Sequence, residues 1–243
     1  MFIPDSAAWT SAAVGDEVEV GGAEGRHAVT VVRLRPGETV LLGGGGRRAE
    51  ARVTHTGKGA FSARLETVVD EPENDPRIVL VQALAKGGRD EQAVETATEL
   101  GVDEVVPWQA ARGVAVWRGG ERQERGRRRW QSVCVAASKQ ARRARVPVVS
   151  EPAATSDVAA RLRRAALGLV LHEAATEPLS AVELPVTGDL LVVVGPEGGI
   201  GDGELAGLVT AGGRPVRLGP EVLRSSTAGP AAVAVLAASL RWH

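Results

Sequence analysis

The chain has 243 residues, enough to bury a sizeable core and more than a typical single domain needs, so one or two domains are expected. With 44% hydrophobic and 24% charged residues it reads as an ordinary globular protein, and no apolar run nears the roughly 20 residues of a membrane-spanning helix. The net charge of −1 hides an uneven distribution; the single cysteine, Cys134, excludes an internal disulfide, and the opening MFIPDSAAWT lacks the pattern of a secretory signal, which points to the cytoplasm.

From Gly15 to about Asp70 the sequence groups into short segments of strand character, DEVEV, ETVLLG, AEARVT and FSARLETVV, separated by Gly, Pro and charged turns, which predicts a small β-barrel. GRHAVTVVRLRPG, Gly25 to Gly37, interrupts them with apolar residues that suit a short helix or a strand. GGGG at Gly43 to Gly46 is expected at a hairpin tip. EPENDP, Glu71 to Pro76, has the composition of a linker, so residues 1–72 and 73–243 are the expected domains.

Beyond the linker, strand and helix alternate. RIVLVQAL reads as a buried strand, DEQAVETATEL as a helix closed by Gly101, and VDEVVPW as the next strand. An arginine-rich helix from about Glu121 to Ala141 follows, then VPVVS, a helix from Asp157 to Ala166, and the strands LGLVLHE and DLLVVV. A helix near Glu204 to Ala211, the strand RPVRLG and an apolar helix from about Thr227 to Arg241 complete the chain. Such alternation predicts an α/β fold with a parallel sheet covered by helices.

Ligands of open parallel sheets gather beyond the carboxyl ends of the strands. Three such ends are notable: LHE at Leu171 to Glu173, GPEGG at Gly195 to Gly199, and LGPEVLRSSTAG from Leu218 to Gly229. Neither G-x-G-x-x-G nor G-x-x-x-x-G-K-[ST] fits them, and Glu197 would repel a phosphate. A ligand without phosphates is expected; S-adenosylmethionine has that character, because backbone groups can read its adenosine and its sulfonium tolerates nearby acids. A glycine turn alone is often only a turn, and His172 reads first as a structural histidine; with no further His or Cys nearby, no metal site is expected.

The segment Arg118 to Arg145 carries ten basic residues against two acids, a local surplus of +8. A charge run is usually a solvated face, but one so lopsided in a nearly neutral chain favours an anionic partner, and guanidinium forks suit nucleic-acid phosphates. On a helix, Arg125, Arg128 and Arg129 share one side while Trp130, Val133 and Ala137 are expected to pack inward.

GRHAVTVVRLRPGE, TELGVDEVVPW, KQARRARVP, LHE, VGPEGGIGDGE and LGPEVLRSSTAG occur in the order found in the RsmE family, which the chain resembles over nearly its whole length. The resemblance implies a PUA-like RNA-binding β-barrel followed by a SPOUT α/β-knot domain, a homodimer, and methylation of uridine N3 in 16S ribosomal RNA within the small ribosomal subunit. It carries S-adenosylmethionine contacts onto Leu171, His172 and Glu173, and onto Val194, Gly195, Pro196, Glu197, Gly198 and Gly199. Further contacts fall on Leu218, Gly219, Val222, Leu223, Arg224, Thr227 and Ala228, and the implied RNA contacts are Arg26, His27, Arg33, Arg125, Arg128, Arg129, Gln140 and Arg143. Because uracil N3–H is a weak acid, Arg224 or Arg143 is expected to stabilise negative charge on the uracil oxygens, and Glu197 to take the proton or bond the cofactor. Thr96 and Ser226 depart from the family's usual Lys and Glu. Ribose 2′-O-methylation and a non-catalytic RNA-binding role in ribosome assembly are the alternatives.

Overall fold

The computed structural model describes residues 1–4 and 7–242, which form two compact units. The first comprises Met1–Glu73 together with Ser138–Val146, and the second Asn74–Ala137 with Pro147–His243.

The first unit is built on an antiparallel sheet of β1 (Glu17–Val20), β2 (Thr39–Gly44), β3 (Arg47–Gly57), β4 (Ala60–Leu65) and β5 (Val69–Asp70). The order is β1-β4-β3-β2, with β5 pairing β3, and among the described residues no ladder joins β1 to β2. Alternation places Val18, Val20, Ala49, Ala51, Val53, Phe61, Ala63 and Leu65 in one core with Trp9 and Leu42, as a half-buried sheet requires. Gly45 and Gly46 form the two-residue turn between β2 and β3; φ of 66° and 85° gives the turn that matches strand twist and accounts for glycine at both positions.

The segment left open between helix and strand is helical: α1 (Gly22–His27) runs into a wider π-turn, Ala28–Val32, ending at Arg33 in the left-handed conformation. A Cβ at Gly25 would stand 2.4 Å from the Val20 carbonyl oxygen and 2.5 Å from that of Gly59, so only glycine permits this approach. The segment Ser138–Val146 is tied into this unit by Lys139 Nζ donating to Glu24 Oε1 at 2.6 Å and Gly46 N–H donating to the Ala144 carbonyl at 3.0 Å.

The second unit holds a six-stranded parallel sheet: β6 (Arg77–Ala83), β7 (Glu104–Trp108), β8 (Val148–Val149), β9 (Leu167–Leu171), β10 (Asp189–Val194) and β11 (Gly213–Val216). Its order is β11-β9-β10-β6-β7-β8, all neighbours parallel. The inner strands are buried along nearly their whole length, which is why they read as continuous Val/Leu/Ile runs. The helices are α2 (Arg89–Glu99), α3 (Gly120–Gln140), α4 (Thr155–Leu162), α5 (Asp202–Thr210) and α6 (Ser225–Leu240). Pro230, expected in the first turn, falls inside α6 in its second turn, six residues beyond the cap at Arg224, where its missing N–H forgoes the bond to the Ser226 carbonyl.

On α3, Trp130, Cys134, Ala137 and Ser138 are the buried positions. Val133, expected inward with Trp130 and Ala137, is only half-buried, because the next position four residues after Trp130 is Cys134. Gly126 allows the Trp117 ring to lie against the helix, where it meets Trp130 edge-on with centroids 5.4 Å apart.

Candidate active site

The chain enters the parallel sheet at β6, builds outward to β8, then returns to place β10 against the other edge of β6. The loops after β9, β10 and β11 consequently meet at one end of the sheet, beside this reversal, where an open parallel sheet leaves a crevice. A cavity of about 410 Å³ lies there.

Leu171, His172 and Glu173 reach it from β9; Val194, Gly195, Pro196, Glu197, Gly199 and Ile200 from β10; and Val222, Leu223, Arg224, Ser225 and Ala228 from the loop that enters α6. Leu218 and Gly219 line a smaller adjoining cavity of about 100 Å³, which also includes His172 and Leu223. Gly198 and Thr227 line neither; a Cβ on Gly198 would meet the Arg112 carbonyl oxygen at 3.3 Å. Gly195 is the tight position of the loop, since an added Cβ would stand 2.7 Å from Ile200 Cγ1.

His172 Nδ1 accepts the Ala174 backbone N–H at 3.2 Å, so the ring closes a turn at the rim of the cavity. Glu197 accepts from Arg89 Nη1 at 3.3 Å. Arg89, from the start of α2, was not legible as a site residue, because the strand ends that stood out in the sequence were those of β9, β10 and β11 and not the loop after β6, the strand beside β10. Ile200 and Ser225 were also missed; Ser225 is buried, and among the described residues its Oγ has no hydrogen-bond partner.

Arg224 caps α6 in extended conformation with its side chain exposed at the rim. Ser226 is buried in the first turn of that helix, and Thr96 is half-buried on α2. Among the described residues no group of three or more His, Cys, Asp or Glu side chains could hold a metal ion, and no helix is long and apolar enough to cross a membrane.

Arg125, Arg128 and Arg129 project from α3 into solvent. Arg129 pairs with Glu91 at 2.7 Å and Arg128 with Glu124 at 3.3 Å, whereas Arg125 makes no ion pair among the described residues. Arg26, His27, Arg33 and Gln140 are exposed on the first unit, and Arg143 is half-buried there. Glu104, at the opposite end of the sheet from the cavity, is a structural carboxylate. Burial would raise its pKa, but hydrogen bonds from Ser150 and Arg161 and the charges of Arg161 and Arg77 hold it below the ordinary range.

A parallel sheet whose carboxyl-end loops close around one cavity, in a chain that also carries an N-terminal antiparallel unit, defines a SPOUT methyltransferase with a PUA-like domain. A family model described as an RNA methyltransferase domain matches residues 72–237, and one described as an RNA methyltransferase PUA domain matches residues 14–66. The chain belongs to this RNA methyltransferase family. A Mycobacterium bovis protein, "Ribosomal RNA small subunit methyltransferase E", is 47% identical over 92% of this chain and 87% of its own length. The protein of the same name from Neisseria gonorrhoeae, solved bound to S-adenosyl methionine, is 26% identical with a TM-score of 0.83, covering 98% of this chain and 96% of that one. A Legionella pneumophila protein solved with bound SAM is 27% identical with a TM-score of 0.84 over the same shares.

Proposed function

We propose that the protein transfers a methyl group from S-adenosylmethionine to N3 of a uridine in 16S ribosomal RNA, acting as a cytoplasmic homodimer on the small ribosomal subunit. The observation that carries this reading is the loop-built cavity after β9, β10 and β11, in a chain 47% identical to a ribosomal RNA small subunit methyltransferase E. The residues fit the cofactor: the volume lies in the range of small-ligand sites, Leu171, Val194, Ile200 and Leu223 offer apolar surface for a ring, and the unpartnered Ser225 Oγ offers a hydrogen bond. Glu173 and Glu197 suit a cationic sulfonium. When bound, S-adenosylmethionine supplies an electrophilic methyl group.

The backbone around Gly195 and Gly199 would seat that group, and Pro196 and Ile200 would exclude water beneath it. Arg224, exposed at the rim, is one cation within reach of the negative charge that develops on the uracil oxygens as N3 loses its proton; Arg143 would serve a partner's cavity from the first unit. Arg125, Arg128 and Arg129, with Arg26, His27, Arg33 and Gln140, would bind the RNA backbone. Val222 is 78% exposed beside the cavity, apolar surface of a kind that a second copy of the chain would cover. Incubation with small subunits from a strain lacking the modification, followed by nucleoside mass spectrometry, is expected to yield N3-methyluridine. A 2′-O-methylated product would move the reaction to the ribose, and absence of any methylation would leave an RNA-binding role.

A further inference from the structure

We propose that Arg89 is the cation that stabilises the uracil anion, holding O2 or O4 of the target base while N3 attacks. The inference rests on the N3 reading above and assigns the charge to a residue outside the three glycine loops.

The placement of Arg89 follows from the strands. β6 and β10 are neighbours with Gln82 opposite Val194, so the loops leaving them lie side by side over the middle of the sheet. Arg89 comes from the first loop and Glu197 from the second, and both line the cavity. The Arg89 loop is fixed by Asp90, only 6% exposed, whose carboxylate accepts the Ala85 N–H at 3.2 Å and the Glu91 N–H at 2.9 Å. Arg89 is therefore held at both ends, by its backbone through Asp90 and by its guanidinium through Glu197. A guanidinium carries five N–H donors, and among the described residues this one spends a single bond, Nη1 to Glu197 Oε1. The remaining donors are free for a ligand in the cavity.

The chemistry requires such a group. Loss of the N3 proton to solvent leaves an anion shared by N3, O2 and O4; as N3 forms its bond to the methyl group the S–CH3 bond would break and the cofactor leave as the neutral thioether, S-adenosylhomocysteine. A positive charge already in position lowers the cost of that anion without reorganising during the reaction. Arg224 lacks this preorganisation: it makes no ion pair among the described residues. Glu197 would then orient Arg89 rather than take the proton itself.

The test measures kcat against pH for wild type, Arg89→Gln and Arg89→Lys with saturating cofactor, alongside calorimetric affinity for S-adenosylmethionine. Arg89→Gln is expected to lose about 100-fold at neutral pH, the usual scale for removing one donor to a developing oxyanion. Where rate follows the anion fraction, that loss equals a displacement of the profile by about two pH units upward, so the deficit narrows as pH rises. Arg89→Lys is expected to recover most of the rate, and cofactor affinity to change less than about threefold. Glu197→Gln, which keeps the cation and removes its counter-charge, is expected to move the profile the other way. Three results would overturn the proposal: a deficit constant at every pH, a large loss of cofactor affinity placing Arg89 on the methionine carboxylate, or the same displacement in both variants, marking a structural tie. A wild-type product other than N3-methyluridine rejects the underlying reading first, and the Arg89 proposal with it.

Discussion

Gly195→Ala tests the cavity with the smallest possible change. The added Cβ would lie 2.7 Å from Ile200 Cγ1, about 1 Å inside an ordinary carbon–carbon contact. Ile200 is 4% exposed and packs into the core cluster that includes Val193 and Leu208, so it has little room to retreat inward. Its other face lines the cavity, and displacement in that direction takes space from the ligand. Overpacking of this kind costs about 1–3 kcal/mol; borne by the complex, it weakens binding by about 5- to 150-fold. Titration calorimetry with S-adenosylmethionine is the assay, with thermal unfolding of the free protein beside it. Gly198→Ala, whose nearest new neighbour is the Arg112 carbonyl oxygen at 3.3 Å on an exposed stretch, is the matched control and should shift Kd less than about twofold. Neither glycine has a positive φ, so backbone strain contributes to neither result. If Gly195→Ala leaves Kd unchanged and lowers only the unfolding temperature, Ile200 is not a wall of the ligand site.

Glu104→Gln should destabilise the second unit by about 2 kcal/mol, less than for a fully buried pair because Arg77 and Arg161 are each about one-third exposed. The lowered pKa of Glu104 stabilises the fold above the ordinary carboxylate range, so the gap between wild type and variant in chemical denaturation should shrink as pH falls below about 4.3. Arg125→Ala should reduce the salt dependence of RNA binding by about 0.7–0.9 in log–log slope if it contacts one phosphate; an unchanged slope returns it to a solvated face. Refolding a mixture of Gly195→Val and Arg143→Ala chains should restore about a quarter of wild-type activity, since half the dimers are mixed and half their sites intact. Activity at the level of the separate variants, with mixed dimers present, would exclude Arg143 from the partner's site.

The parallel sheet was legible because its inner strands are buried on both faces and leave unbroken apolar runs, RIVLVQAL and DLLVVV, in the sequence. Two of the three loops around the cavity followed from the same pattern, since each begins where an apolar run ends; the third follows RPVR, a strand legible from its place in the strand–helix alternation. Strand order was not legible: nothing local says that β10 inserts between β9 and β6, and that insertion is what brings Arg89 beside Glu197. Gly25 to Gly37 stayed ambiguous because its apolar stretch is shorter than either period needs, and the contact that decides it, Gly25 against Val20 and Gly59, is tertiary. Helix ends shifted by a few residues, as at α4, expected over Asp157 to Ala166 and found at Thr155–Leu162, where Asp157 Oδ2 accepts the Ala154 N–H and fixes the start.

The composition of the first unit has a consequence for synthesis. Its strands are all made by Asp70, yet Lys139 and Ala144, which bond Glu24 and Gly46, emerge only some seventy residues later. A nascent chain must therefore hold an incomplete antiparallel unit, with Glu24 unpaired, while β6, α2, β7 and most of α3 are translated. At bacterial-type rates of about 5–20 residues per second that wait lasts several seconds, long compared with the formation of a hairpin. A fragment ending at Glu73 should resemble this waiting state, and adding Ser138–Val146 as a separate peptide should slow its amide exchange around Glu24 and Gly46.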